Sequence, residues 1–209
     1  MGTVKIAVLA SGGGSNLQAL IDAQTDGAFN GEIALVVSNR KAAFALERAK
    51  KAGIATHYLS AKSFPTAAAF DDALLTVLAA HEIDFIVLAG YLKVLSTKVL
   101  QSYPNKIINI HPSLLPAFGG DGFYGMRVHH AVHQSGAKLS GATVHFVTEG
   151  IDAGPIILQK AIRLEPDWGP EDIQAAVLKL EHPLLVEAVR LYCENRLEIT
   201  DNKVLIREF

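Results

Sequence analysis

Cysteine is almost absent from this chain of 209 residues, which contains only Cys193. A single cysteine cannot form a disulfide within the chain, so packing must hold the fold together, as is usual in a reducing compartment. The first residues run directly into an apolar segment, without the charged, apolar and small-residue regions of a signal peptide. We therefore expect a cytoplasmic protein.

Long hydrophobic runs and an excess of charge of one sign are also absent. No stretch of about 18 apolar residues occurs, which argues against a membrane-spanning helix. The formal net charge is −2, so the chain lacks the basic surplus of a nucleic-acid-binding protein. Half of the residues are hydrophobic, which is enough to build a sizeable core. We expect small-molecule partners, no nucleic acid, no membrane, and a monomer or a homodimer.

Short apolar runs rich in β-branched residues alternate with helical patterns along the chain. The runs predict strands at 4–9, 32–38, 55–59, 84–88, 106–110, 141–147 and 155–163. The patterns between and after them predict helices at 16–24, 42–52, 66–81, 96–103, 126–135 and 171–195. This alternation is typical of parallel βαβ units. We predict an α/β fold in which residues 1–209 form one domain with a doubly wound, mostly parallel, Rossmann-like sheet.

The end of the chain departs from this alternation. The predicted strands 141–147 and 155–163 follow each other without a helix, which indicates antiparallel pairing or a crossing by a short loop. The tail 197–207 contains an Asp-Asn turn at 201–202 and predicts a small hairpin.

A glycine-rich loop, Ser11-Gly12-Gly13-Gly14-Ser15-Asn16, lies between the first predicted strand and the first predicted helix. Its glycines let the backbone approach an anion, and the helix N-terminus offers free N–H groups. The loop lacks the Gly-Lys-Ser/Thr of a P-loop, and no acidic residue ends the second strand to bind a ribose. A single phosphate ester therefore fits better than a dinucleotide. The alternative is a tight turn with a helix cap.

The apolar run 107–116 carries an amide and an imidazole. Asn109 and His111 are two residues apart, so in a strand they face the same side, and Pro112 keeps His111 in extended chain. An amide beside a titratable imidazole can bind an oxyanion and move a proton. The alternative is a strand that simply ends in polar residues.

Three loops could complete such a site. The segment 90–95 leaves the carboxyl end of a central strand, where α/β sheets bind ligands, and its backbone amides suit a flat heteroaromatic ligand. Asp152 lies in a Gly/Pro turn at 150–155, and it would favour the imidazolium form of His111 if the two residues met. The segment 117–125 contains four glycines, and we predict a mobile active-site loop there. An ordinary βα loop at 90–95 and an ordinary turn at Asp152 are the alternatives.

The histidines do not form a recognisable metal-binding motif. His129 and His133 are four residues apart on a predicted helix, but His130 stands where the zinc-protease pattern has a glutamate. We expect solvated helix histidines and no metal site. His145 alternates with apolar residues in a predicted strand, which is typical of a core residue or of a residue that supports a site.

Read in order, five motifs resemble those of one enzyme family. They are Gly-Ser-Asn at 14–16, Gly-Tyr-Leu-Lys-Val-Leu at 90–95, Asn-Ile-His-Pro-Ser-Leu-Leu-Pro at 109–116, Ser-Gly-Ala-Thr-Val-His-Phe-Val at 140–147 and Asp-Ala-Gly-Pro-Ile-Ile-Leu-Gln at 152–159. Together with Glu181-His182 they resemble the phosphoribosylglycinamide formyltransferases (GAR transformylases), folate-dependent enzymes of purine synthesis. The resemblance runs nearly end to end. The third motif is shared with other folate formyltransferases and hydrolases, and the glycine loop and short length favour this branch.

The resemblance implies direct transfer of a formyl group from 10-formyltetrahydrofolate, as co-substrate, to the amine of glycinamide ribonucleotide, without a metal. It implies a catalytic trio of Asn109, His111 and Asp152. In this trio Asn109 and protonated His111 would stabilise the oxyanion, while Asp152 would keep His111 charged and manage the proton that leaves the amine. Substrate binding would fall on Gly14, Ser15, Asn16, Pro112 and Glu181. The folate would contact Leu92, Lys93, Val94, Leu95, Asn109, Thr148, Gly150 and Asp152.

One departure from the family pattern concerns phosphate binding. The arginine that commonly begins the third helix and reaches the substrate phosphate is replaced by Ala67, and Lys62 and Lys179 are candidate substitutes. Two alternative functions stay open, namely formyl transfer to another amino sugar or nucleotide, and a non-catalytic phosphosugar-binding module. The complete trio argues against the module, because binding alone needs no such set.

Overall fold

The computed structural model describes residues 2–208. The strands are β1 Val4–Leu9, β2 Gly31–Ser38, β3 Ala55–Tyr58, β4 Phe85–Leu88, β5 Ile107–His111, β6 Leu139–Phe146, β7 Ile156–Arg163, β8 Leu197–Thr200 and β9 Lys203–Ile206. The α-helices are α1 Ser15–Thr25, α2 Phe44–Lys51, α3 Ala67–Ala80, α4 Thr97–Ser102, α5 Met126–Ser135 and α6 Pro170–Cys193. A short 3-10 helix, Ala61–Ser63, was not predicted. In the described part of the chain, no helix combines the length and apolar character needed to cross a membrane.

Seven strands form one sheet in the order β3-β2-β1-β4-β5-β6-β7. β1 pairs in parallel with β2 and β4, and β2 pairs in parallel with β3. β6 and β7 are antiparallel, and β8 and β9 form a separate hairpin. The predicted mostly parallel α/β sheet is confirmed, and so are the antiparallel pair and the terminal hairpin.

The chain divides into two compact units, and the boundary falls inside β5, between Ile108 and Asn109. In the first unit, the last four residues of β1 are apolar and buried, as expected for a strand covered on both faces. α1 buries Leu17, Leu20 and Ile21, which recur every three to four residues along one face. The hydroxyl of Thr66 accepts a hydrogen bond from the Ala69 N–H and so caps the N-terminus of α3.

In the second unit, α6 packs against β6 and β7. The helix starts at Pro170, a residue type favoured at the first helical position, and the Gly169 N–H donates to the Asp172 carboxylate at 2.9 Å. Its buried residues include Ile173, Val177 and Leu184, so an apolar stripe faces the two strands. This packing fixes β6, which carries part of the candidate site.

The close approach of β6 and β7 gives a testable requirement at Gly141. A Cβ atom at this position would lie 2.1 Å from the Lys160 carbonyl oxygen, which is backbone and cannot rotate away. We expect Gly141→Ala to lower the free energy of unfolding by about 2 kcal/mol in urea titration, as overpacking does. Gly13→Ala is the control, because its Cβ would meet no atom within 4 Å. Equal stability of the two variants would contradict this packing.

Candidate active site

Three side chains from different segments of the second unit lie close together. His111 ends β5, His145 lies in β6, and Asp152 lies in the turn between β6 and β7. The Asp152 Oδ2 atom is 3.4 Å from His111 Nδ1, and its Oδ1 atom is 3.7 Å from His145 Nε2. The predicted meeting of His111 and Asp152 therefore occurs, and a second imidazole joins them.

The side chain of Asn109 is oriented by His145. The His145 Nδ1 atom lies 2.8 Å from the Phe146 carbonyl oxygen, which can only accept, so Nδ1 carries a hydrogen. In the neutral ring Nε2 then accepts from the Asn109 amide nitrogen at 3.1 Å. The second hydrogen of that amide nitrogen is left for another acceptor. His145 is thus a positioning residue, which the sequence analysis left as a core or supporting residue.

The carboxylate of Asp152 has only 10% of its side-chain surface exposed. Burial works to raise its pKa, but the rings of His145 and His111 and the Gly120 N–H act more strongly, so the pKa lies below its ordinary value. The Gly120 N–H donates to Oδ2 at 3.0 Å. Asp152 is therefore ionised at neutral pH, and it adopts a positive φ of 53° in its tight turn.

His111 lies between the Phe118 carbonyl group and the Asp152 carboxylate. Its Nε2 atom donates to the Phe118 carbonyl oxygen at 2.8 Å, while Nδ1 faces Asp152. Burial lowers the pKa of His111 below 6.5, although Asp152 and Phe118 raise it, and His145 adds to the lowering. The resting imidazole is therefore neutral at pH 7. This differs from the standing positive charge that the sequence analysis expected, because the cost of burial outweighs the attraction to Asp152.

The glycine-rich segment 117–125 is hydrogen-bonded to the side chains of His111 and Asp152. Its Phe118 carbonyl binds His111, and its Gly120 N–H binds Asp152. Gly119 sits between these contacts, where a Cβ atom would lie 2.4 Å from Leu115 and 3.3 Å from the Asp152 Cβ. The segment therefore covers His111 and Asp152 through backbone groups. That it opens for ligands stays a prediction.

Helix α5 places its three histidines in different surroundings. His130 and His133 are exposed, as expected, but His129 is only 2% exposed, so its expected solvation is wrong. Its Nδ1 atom has no hydrogen-bond partner. Burial, followed by the nearby His111 and His130, lowers its pKa to about 4. Within residues 2–208, no group of three or more His, Cys, Asp or Glu side chains is arranged to hold a metal ion.

The glycine-rich loop lies in the first unit, where it precedes α1. Gly14 occupies the N-cap position in the left-handed conformation, with φ 71°, and Ser15 is the first helical residue. No side chain caps this N-terminus. Ser15 is half-buried and Asn16 is buried. The predicted order of strand, glycine turn and helix is therefore confirmed, with backbone N–H groups at the turn.

The predicted folate segment also lies in the first unit. Leu92 and Val94 are exposed, Leu95 is buried, and the Lys93 ammonium lies 4.8 Å from the centre of the Phe70 ring. The Leu92 N–H donates to the Ser11 hydroxyl at 2.9 Å, and that hydroxyl donates to the Asn39 side chain at 2.6 Å. The Leu92 N–H is therefore already used within the protein, which the sequence did not indicate.

The other residues predicted to contact the two substrates differ in solvent exposure. In the second unit, Thr148 and Gly150 are exposed in the turn before Asp152, Pro112 is half-buried after His111, and Glu181 is 8% exposed in α6. In the first unit, Ala67 is exposed in the first turn of α3, and Lys62 is exposed in the 3-10 helix. Lys179 is exposed on α6.

Comparisons with known proteins agree on one family. The family model described as formyl transferase matches residues 4–189. The chloroplastic phosphoribosylglycinamide formyltransferase of Arabidopsis thaliana is 43% identical over 96% of this chain and 69% of its own length. The phosphoribosylglycinamide formyltransferase of Escherichia coli is 38% identical over 95% of this chain and 92% of its own length. The crystal structure of glycinamide ribonucleotide transformylase 1 from Symbiobacterium toebii superposes with a TM-score of 0.92 and 42% identity, covering 99% of this chain and 95% of that one.

The buried His129 predicts a pH dependence of stability. The unfolded chain takes up a proton at this residue below pH 6.5, whereas the folded chain does so only near 4. Stability is therefore lost as pH falls from 6.5 to about 4, by about 3 kcal/mol from this group. We expect His129→Gln to lose correspondingly less stability than wild type over this interval, as measured by urea unfolding at a series of pH values. His130→Gln, at the exposed neighbour, should behave as wild type. Parallel curves for His129→Gln and wild type would contradict the assignment.

Proposed function

Since this chain belongs to the formyl transferase family, we propose that it transfers the formyl group of 10-formyltetrahydrofolate to the primary amine of glycinamide ribonucleotide. The observation that carries this proposal is the meeting of an amide, two imidazoles and a buried carboxylate at the end of β5. Similarity to phosphoribosylglycinamide formyltransferases over 95% or more of the chain supports the choice of acceptor.

The amine nitrogen attacks the formyl carbon, and the formyl oxygen gains negative charge. Asn109 stabilises that oxygen with the amide hydrogen that His145 does not accept. His145 keeps the amide nitrogen, rather than the amide oxygen, directed into the site. A reversed amide would present an acceptor to the oxyanion and lose this stabilisation.

The proton of the attacking amine passes to Nδ1 of neutral His111, which faces Asp152 at 3.4 Å. The ionised carboxylate stabilises the imidazolium that forms. The C–N bond between the formyl carbon and N10 of the folate then breaks, and the same proton goes to N10. The products are the formamide and tetrahydrofolate, so no proton is gained or lost overall. Neutral His111 is the form that can start this sequence.

The remaining predicted residues bind the two substrates. Gly14, Ser15 and Asn16 hold the phosphate through N–H groups at the start of α1, and Pro112 and Glu181 contact the rest of the nucleotide. The folate lies against Leu92–Leu95 and the turn that carries Thr148, Gly150 and Asp152. Because Leu92 already donates to Ser11, its contact with the folate is through its exposed side chain. We propose that residues 1–209 act as one formyltransferase domain, since the family model crosses the boundary between the two units. A cytoplasmic location and a monomeric or homodimeric state stay predictions.

The reaction itself is tested by following the absorbance change as purified protein converts 10-formyltetrahydrofolate in the presence of glycinamide ribonucleotide. Asn109→Ala and Asp152→Asn should each lower kcat by on the order of 100-fold with little change in either KM, because both act on the transition state. Asp121→Ala, an exposed change in the covering segment, is the control. Turnover within a few-fold of wild type for both site variants would remove the trio from the mechanism.

The acceptor is tested in the same assay with other amines. Glycinamide ribonucleotide should give the highest kcat/KM among amino sugars and amino nucleotides of similar size. A higher value for another acceptor would assign the chain to that substrate, and folate conversion without any acceptor would indicate a hydrolase.

The phosphate site is tested by two substitutions at one position. Ser15→Pro removes an N–H donor at the first helical position, where the proline ring itself is tolerated, whereas Ser15→Ala keeps the donor. We expect Ser15→Pro to weaken glycinamide ribonucleotide binding by about tenfold or more, because one hydrogen bond to the charged phosphate is lost. Folate binding should not change. Ser15→Ala should bind both nearly normally. Calorimetric titration of both variants measures this, and normal nucleotide binding by folded Ser15→Pro would place the phosphate elsewhere.

A further inference from the structure

The guanidinium of Arg48, on α2, is fixed against the glycine-rich loop. Its Nε atom donates to the Gly13 carbonyl oxygen at 2.8 Å, and Nη1 donates to the Gln18 side chain at 3.0 Å. It also lies 4.9 Å from the centre of the Phe44 ring. Arg48 is therefore held by three contacts within the first unit, although the sequence analysis did not single it out.

A second contact joins α2 to Gly12, the loop residue before Gly13. The Ala45 N–H donates to the Gly12 carbonyl oxygen at 3.1 Å. Gly14 comes so close to α2 that a Cβ atom there would lie 2.8 Å from both Cα and Cβ of Ala45. Two consecutive carbonyl groups of the loop are thus bound on the side of α2.

This binding determines where the loop's N–H groups point. In a planar trans peptide the carbonyl and the following N–H point in opposite directions. Because the carbonyls of Gly12 and Gly13 face α2, the N–H groups of Gly13 and Gly14 face away from it. The left-handed Gly14 then leads into the open N-terminus of α1, so successive N–H groups form the concave arrangement that binds anions.

We propose that Arg48 is a positioning residue for the substrate phosphate: by holding the Gly13 carbonyl, it directs the loop N–H groups at the anion. This inference rests on the proposed function, which places the phosphate at this loop. Arg48 thereby compensates for the family arginine that is absent at Ala67. It acts through the backbone, since two of its nitrogens are already used within the protein.

Arg48 needs the planar, forked N–H groups of its guanidinium to position the loop, and a positive charge alone is not sufficient. A lysine at position 48 would keep the charge but could not bind Gly13 and Gln18 in a fixed plane. Lys51 offers a matched control, because its ammonium lies 5.9 Å from the centre of the same Phe44 ring. Within the described residues, Lys51 makes no hydrogen bond to the loop.

The test compares Arg48→Met, Arg48→Lys and Lys51→Met on two acceptors, glycinamide ribonucleotide and the same molecule without its phosphate. Arg48→Met should raise KM for the nucleotide about tenfold, the effect of one lost charged hydrogen bond, and change kcat and the folate KM by less than about twofold. Its kcat/KM for the dephosphorylated acceptor should equal that of wild type. Arg48→Lys should resemble Arg48→Met, and Lys51→Met should resemble wild type.

The possible outcomes distinguish a failure of the proposed function from a failure of the role assigned to Arg48. A wild-type protein that fails to formylate the nucleotide would refute the proposed function. A working wild type with Arg48→Met equal to Lys51→Met on both acceptors would overturn the inference alone. Wild-type behaviour of Arg48→Lys would also overturn it, because charge would then be sufficient. If Arg48→Met does not fold, Gln18→Ala leaves Arg48 in place but frees Nη1; it should raise the nucleotide KM several-fold, and an unchanged KM would count against the proposal.

Discussion

Taking a carboxylate out of water costs on the order of several kcal/mol unless polar groups replace the lost water, and Asp152 is such a carboxylate. The Gly120 N–H donates to this carboxylate, and two imidazoles that can take up a proton lie beside it, each from a separate part of the second unit. His111 arrives at the end of β5, His145 arrives from β6, and the Gly120 N–H arrives from the glycine-rich segment. Each of these groups lies against one particular oxygen of the carboxylate. The turn that carries Asp152 must therefore keep its position relative to β5 and β6. The site therefore depends on the antiparallel pairing of β6 and β7, the strands that the turn at Asp152 connects.

The same burial decides the protonation of the imidazoles. Desolvation keeps His111 neutral at rest, yet Asp152 makes its protonated form accessible during the reaction. His129, buried in α5, has no such carboxylate beside it and stays neutral to about pH 4. The difference between the two histidines shows what one facing carboxylate does to a buried imidazole.

Much of this arrangement could be predicted from the sequence, because strand geometry is periodic. The two-residue spacing of Asn109 and His111 and the glycine turn before α1 follow from local rules, and the structure has both. His145 could not be separated from an ordinary core residue, since alternation in a strand does not identify the neighbour across the sheet. The backbone groups of Phe118 and Gly120 have no side-chain signal at all. Arg48 was missed for the same reason, because its partner is a carbonyl of a residue 35 positions away.

The protonation state of His111 tests this account most directly. In protein labelled at histidine carbons, the NMR titration of His111, assigned by its loss in His111→Ala, should give a pKa below 6.5 in the free enzyme. In Asp152→Asn the pKa should be lower still, because the carboxylate that raises it is gone. A pKa above 6.5 in wild type would contradict the account, since the effect of burial would then not outweigh the attraction to Asp152.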